Sequence, residues 1–61
     1  MDKDIDGREL SVGDPVLVVA GINCIGKRGR VKMLHGVVLV ALEGRSDPQP
    51  FMSEWLRKEI A

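Results

Sequence analysis

Gly26–Leu42 reads GKRGRVKMLHGVVLVAL, two strand-like runs that meet at His35-Gly36. In the first run, Arg30-Val31-Lys32-Met33 alternates charged and apolar residues. A period of two sends Val31 and Met33 to one face and Arg30 and Lys32 to the other, the pattern of a half-solvated antiparallel strand. Gly36 takes positive φ without steric penalty, so His35-Gly36 predicts the turn. The second run, Val37-Val38-Leu39-Val40-Ala41-Leu42, is apolar throughout. An unbroken run of this length suits a strand covered on both sides, or one whose outer face meets another chain.

Working outward from this hairpin, the flanks also read as strands and turns. Asp6-Gly7 and Gly13-Asp14 are turn pairs, and Pro15 fits the first residue or the edge of a strand. Val16–Ala20 is β-branched and apolar, and Gly21 ends it, which predicts the first core strand. Ile22–Arg28 follows as a loop, with Asn23 and Gly26 as breakers. On the other side, Glu43–Pro50 is a polar loop carrying Gly44, Pro48 and Pro50. Phe51-Met52 begins a short strand, Ser53-Glu54-Trp55 forms a 3₁₀ turn, and Leu56–Ile60 closes the fold. The rival for 53–60 is a short helix with Ser53 as N-cap and Leu56 and Ile60 on one side. The prediction is an all-β chain of about five strands. Its core is Val16, Val18, Val31, Met33, Val38, Val40, Leu42, Phe51 and Leu56.

Sixty-one residues suffice for one domain, close to the size where burial only just sustains a fold. A chain that is 44% hydrophobic and 30% charged is too apolar for disorder and too charged for a membrane span. Its longest apolar run, Val37–Leu42, is far short of the roughly 20 residues of a transmembrane helix, and no membrane partner is expected. Met1-Asp2-Lys3-Asp4 leads into no apolar stretch of signal length. Cys24 is the only cysteine, so no internal disulfide forms, and a reducing cytoplasm is the expected compartment.

The net charge is zero but segregated. Residues 1–25 set Asp2, Asp4, Asp6, Glu9 and Asp14 against Lys3 and Arg8. Residues 26–45 set Lys27, Arg28, Arg30, Lys32 and Arg45 against Glu43. A neutral total argues against bulk attraction to phosphate as the main affinity, and leaves room for a small basic face.

Three stretches resemble SH3-like barrels of the KOW type. Val12-Gly13-Asp14-Pro15-Val16-Leu17-Val18-Val19 is similar to their opening turn and strand. Gly26-Lys27-Arg28-Gly29-Arg30-Val31 resembles the glycine-rich lead-in to the KOW hairpin. Phe51-Met52-Ser53-Glu54-Trp55-Leu56 resembles the strand, 3₁₀ turn and closing strand of SH3-like folds generally. The resemblance covers roughly residues 12–60 and implies one SH3-like domain over 1–61, with 1–11 as an acidic N-terminal segment containing a turn. KOW domains commonly contact RNA, ribosomes or transcription complexes, and other small SH3-like domains bind proteins. Peptide-binding SH3 domains and methyl-lysine readers use several aromatics, whereas this chain has only Phe51 and Trp55.

The candidate chemistries differ in how well the residues support them. Gly21–Lys27 has the spacing of a phosphate-binding P-loop, but Arg28 stands where Ser or Thr should hold magnesium, and a strand follows where a helix is needed. Cys24 as nucleophile needs a base, and His35, the only histidine, sits in a distant turn. One His and one Cys also make a poor metal site. Asp2, Asp4, Asp6 and Glu9 lack the ordered loop of an EF-hand and read as a solvated acidic segment. No catalytic residue, cofactor, metal or small-molecule substrate is expected. Lys27, Arg28, Arg30 and Lys32 place up to four cations together, enough for a few phosphate contacts without base stacking. Trp55 either caps the core beside Phe51 or anchors a protein interface.

The expectation is a non-enzymatic accessory or adaptor domain that binds protein, with self-association included. Val37, Leu39 and Trp55 are its interface candidates. The alternative is KOW-like contact with an RNA or DNA backbone through Lys27, Arg28, Arg30 and Lys32.

Overall fold

The structure, a computed structural model, describes residues 2–59. Five strands form one antiparallel sheet: β1 (Pro15–Val18), β2 (Arg28–His35), β3 (Val37–Leu42), β4 (Gln49–Phe51) and β5 (Leu56–Lys58). Their spatial order is β4-β3-β2-β1-β5. The chain is all-β, as expected, with no α-helix among the described residues. Ser53–Trp55 is the 3₁₀ turn, and Leu56 leaves it extended at φ −116° and ψ 149°, so turn-then-strand prevails over the rival helix. Ile60 lies outside the described residues.

Alternation explains which side chains are inside. Val16 and Val18 from β1, Val31 from β2, Val38, Val40 and Leu42 from β3, Phe51 from β4 and Leu56 from β5 form one buried cluster. They come from all five strands of one sheet, so the sheet curls round them. β3 is not uniformly covered: Val38, Val40 and Leu42 are buried, while Val37 is exposed and Leu39 and Ala41 are half-buried. Its outer row is therefore the unpartnered one.

Met33 is the one predicted core residue that the structure places outside, at 52% exposure. The pairing of β2 with β3 runs Val31↔Val40 and then Met33↔Leu39, so Lys32 is an extra residue in the ladder. Such a bulge slips the side-chain phase by one position. Met33 turns out beside Leu39, and Leu34, opposite the buried Val38, packs against the core in its stead. Upstream of the bulge, Gly29 sits where a Cβ would lie 2.4 Å from the Ala41 carbonyl oxygen and 2.8 Å from Val40 Cγ1. No larger residue fits between β2 and β3 there.

The acidic N-terminal segment is part of the fold. Lys3 and Glu9 pair across a turn, making an arch whose Leu10 joins the core. Asp4, predicted to be solvated, is buried at 5% exposure. Its Oδ1 accepts the Asp6 and Arg8 backbone N–H groups at 3.0 and 2.8 Å, and its Oδ2 accepts the Lys58 N–H at 2.7 Å. The Ile5 N–H donates to the Leu56 carbonyl at 2.8 Å. One carboxylate thus closes the arch and fastens it to the free edge of β5. Burial pushes the Asp4 carboxyl up, but the Lys58, Arg8 and Asp6 N–H donors and the Arg8 charge outweigh it, leaving its pKa below the ordinary value.

Candidate functional site

Strand register divides the outer face of the sheet into a charged half and an apolar half. The charged half lies where β2 leaves the loop after β1. Pro15 pairs with Arg30, and Arg30 with Ala41, so β1, β2 and β3 lie side by side there. Arg28, Arg30 and Lys32 line an open groove of about 340 Å³ over this region, together with Glu43 and Glu59. The structure therefore brings three of the four predicted cations into one groove. Lys27 lies apart from it, in a second hollow shared with Cys24 and Arg45.

The groove is less basic than its cation count. Arg28 Nε sits 3.2 Å from Glu59 Oε2, and Arg30 Nη1 donates to the Gly13 carbonyl at 3.0 Å. Lys27 and Lys32 form no ion pair among the described residues. Two carboxylates beside three cations lower the potential that a polyanion would meet.

The apolar half lies over β2, β3 and β4, beyond the bulge. Cross-strand pairing lines up Met33, Leu39 and Pro50 in one row and sets Val37 opposite His35. Val37 and Met52 are 40% and 43% exposed. At the end of this face, Val37, Pro50, Phe51, Met52 and Trp55 line an apolar groove of about 200 Å³. No charged side chain lines it.

Trp55 both packs against the core and walls this groove, so the two readings of it describe two sides of one ring. Gly21 is held against that ring. A Cβ on Gly21, whose φ is +114°, would lie 2.9 Å from Trp55 Cε3. The Trp55 carbonyl accepts the Val19 and Ala20 N–H groups at 2.8 and 3.2 Å, which fastens the loop between β1 and β2 to the 3₁₀ turn.

Val37 and Leu39, predicted from the apolar run, stand in the outer row of β3, and Trp55, the lone tryptophan, meets Val37 at the apolar groove. Met33, Pro50 and Met52 join them and were not foreseen. The signal for Met33 was present in Met33-Leu34: two adjacent apolar residues after an alternating run mark a slip of phase. Cys24 and His35 stand at opposite ends of β2. Among the described residues, no three His, Cys, Asp or Glu side chains gather into a metal site. Nor is any helix there long and apolar enough to cross a membrane. Compared with protein-family models, with curated proteins and with solved structures, the chain matches none.

Proposed function

We propose that this chain is a non-enzymatic, SH3-like accessory domain that works by binding protein, its own copy included, through the apolar half of its sheet. The observation that carries the reading is the bulge at Lys32. It turns Met33 outward into a row with Leu39 and Pro50, beside the exposed Val37 and Met52. Contiguous apolar surface of this kind marks interaction sites, and methionine adapts its shape to a partner. A cytoplasmic setting suits the single free thiol of Cys24. The test compares the wild-type chain with a Met33→Asp/Val37→Asp double variant, in sedimentation velocity and in affinity capture from lysate. Both positions are exposed, so the double variant keeps its fold. The reading expects an assembly or a captured protein that the double variant loses. A monomer at every concentration, with identical proteins captured by both chains, contradicts it.

A second reading, KOW-like binding of an RNA or DNA backbone, is favoured by the meeting of Arg28, Arg30 and Lys32 in one groove. Glu43, Glu59 and the Arg28–Glu59 pair make such binding weak and salt-sensitive. Arg30→Glu/Lys32→Glu abolishes oligonucleotide binding at low salt on this reading; no binding by the wild type at low salt removes it.

A further inference from the structure

One cation of the charged groove is already engaged from within the chain. Glu59 follows β5, and its N–H donates to the Pro15 carbonyl at 2.8 Å, which fixes its backbone against β1. From there its Oε2 reaches Arg28 Nε on β2, at 3.2 Å. Both residues line the groove that Arg30 and Lys32 share. Arg28 and Arg30 are exposed and stand two residues apart on one face of β2, about 7 Å along the strand. Arg30 gives a single guanidinium N–H to the Gly13 carbonyl, and Lys32 forms no ion pair among the described residues. The groove therefore holds two cations with donors to spare and a third whose charge a carboxylate already meets. Glu43 lines the same groove and pairs with no cation among the described residues.

We infer that Glu59 is an internal stand-in for a backbone phosphate, competing for Arg28 with a single-stranded nucleic acid laid along the groove. This rests on the oligonucleotide reading above and deepens it: one residue, acting through one arginine, limits the affinity of that site. A carboxylate and a phosphate oxygen make the same kind of charge-assisted bond to a guanidinium, so the two exclude each other at Arg28. The pair is open to exchange, because the Arg28 and Glu59 side chains are 64% and 33% exposed. A solvated pair of this kind contributes little to stability, so breaking it leaves the fold intact. The arrangement of the cations selects a linear polyanion over a lone anion. Arg28, Arg30 and Lys32 follow one another along one strand, in an open groove, and do not surround a point. No aromatic side chain lines that groove, so the contact is with backbone phosphates and not with stacked bases.

The test titrates a labelled single-stranded oligothymidylate with the full chain at low salt, read by fluorescence anisotropy. The variants are Glu59→Gln, Glu43→Gln, Arg28→Gln and Glu59→Gln/Arg28→Gln. Glu43→Gln removes the same charge from the same groove without freeing an arginine. Far-ultraviolet spectra show that each variant folds, and Glu59→Ala serves if Glu59→Gln does not. Glu59→Gln binds about threefold tighter than Glu43→Gln, the scale of an exposed ion pair. In the Arg28→Gln background, the gain from Glu59→Gln shrinks to the charge effect that Glu43→Gln reports. Adding Arg28→Gln to Glu59→Gln also flattens the slope of log affinity against log salt by about 0.7, one phosphate contact on a single strand. Equal gains from Glu59→Gln and Glu43→Gln overturn this inference, and so does a full Glu59→Gln gain in the Arg28→Gln background. Either result keeps the oligonucleotide reading where Arg30→Glu/Lys32→Glu abolishes the binding. Polyglutamate bound as tightly as the oligonucleotide overturns the choice of a nucleic acid and assigns the groove to acidic protein. No binding at low salt by the wild type or by Glu59→Gln overturns both.

Discussion

At the β5 end of the sheet, the N-terminal arch covers the strand edge, and a buried carboxylate fastens it there. At the β4 end, no described segment lies alongside the strand, and Pro50 alone interrupts its row of donors. Both edges face the same physical hazard, because an open strand edge is a template for any other chain. The covered edge uses the whole N-terminal arch for its protection and leaves charged groups outside: Arg57 pairs with Asp6 at 2.9 Å and Lys58 with Asp14 at 3.2 Å. The uncovered edge keeps an apolar outer face, with Met33, Val37, Leu39 and Met52 around it. The contrast separates a side of the molecule that is covered by its own chain from one whose apolar residues stay exposed.

Breaking the covered edge has the largest expected effect. Asp4→Ala leaves the Asp6, Arg8 and Lys58 N–H groups without their acceptor. It costs about 2–3 kcal/mol, read as a lower midpoint in urea unfolding. In a domain of this size such a loss is a large share of the total stability. Hydrogen exchange at Lys58 rises with it.

The same carboxylate links the stability of the fold to pH. Its pKa is lower folded than unfolded, so its stabilisation is fully present above the ordinary carboxylate range and is lost as pH falls through the folded value. Wild-type stability should therefore fall below about pH 4, and Asp4→Asn, already weakened at neutral pH, should fall less steeply. Equal acid slopes for the two chains would place the proton uptake on other carboxylates.

Opening the uncovered edge acts on association more than on stability. Pro50→Val restores the missing N–H and should produce larger assemblies by light scattering, while the stability shifts by no more than about 0.5 kcal/mol. The smallest effect is expected at Met33. Met33→Gln changes stability by less than about 0.5 kcal/mol because the side chain is already outside. A core methionine truncated to alanine would cost about 2–5 kcal/mol, so a large loss at Met33 would put it back inside and remove the bulge.

Much of the fold was legible because its signals are local. Alternation in Arg30–Met33, the His35-Gly36 turn and the apolar Val37–Leu42 run each specify a neighbouring geometry, and together they define the hairpin. The inside row of β3, Val38, Val40 and Leu42, follows from period two once the sheet is known to have one dry face. Two features were not legible because they depend on distant partners. Lys32 becomes an extra residue only when β2 is paired with β3. Asp4 reads as one of five N-terminal acids until the chain returns, more than fifty residues later, with the Lys58 N–H that it accepts. The basic residues were found, but the pairing of Arg28 was not, since Glu59 reaches it only through the pairing of β5 with β1. Trp55 showed the same limit: a lone tryptophan gives no hint that Gly21 will lie against its ring.

Which side of the sheet meets a partner is measured most directly by residue-resolved ¹⁵N–¹H spectra across a concentration series. The expected result is a set of concentration-dependent shifts confined to Met33, Val37, Leu39, Met52 and the Trp55 indole, with Arg28–Lys32 and the N-terminal arch unmoved. Shifts confined to Arg28–Lys32, or none at any concentration, would contradict a self-docking apolar face.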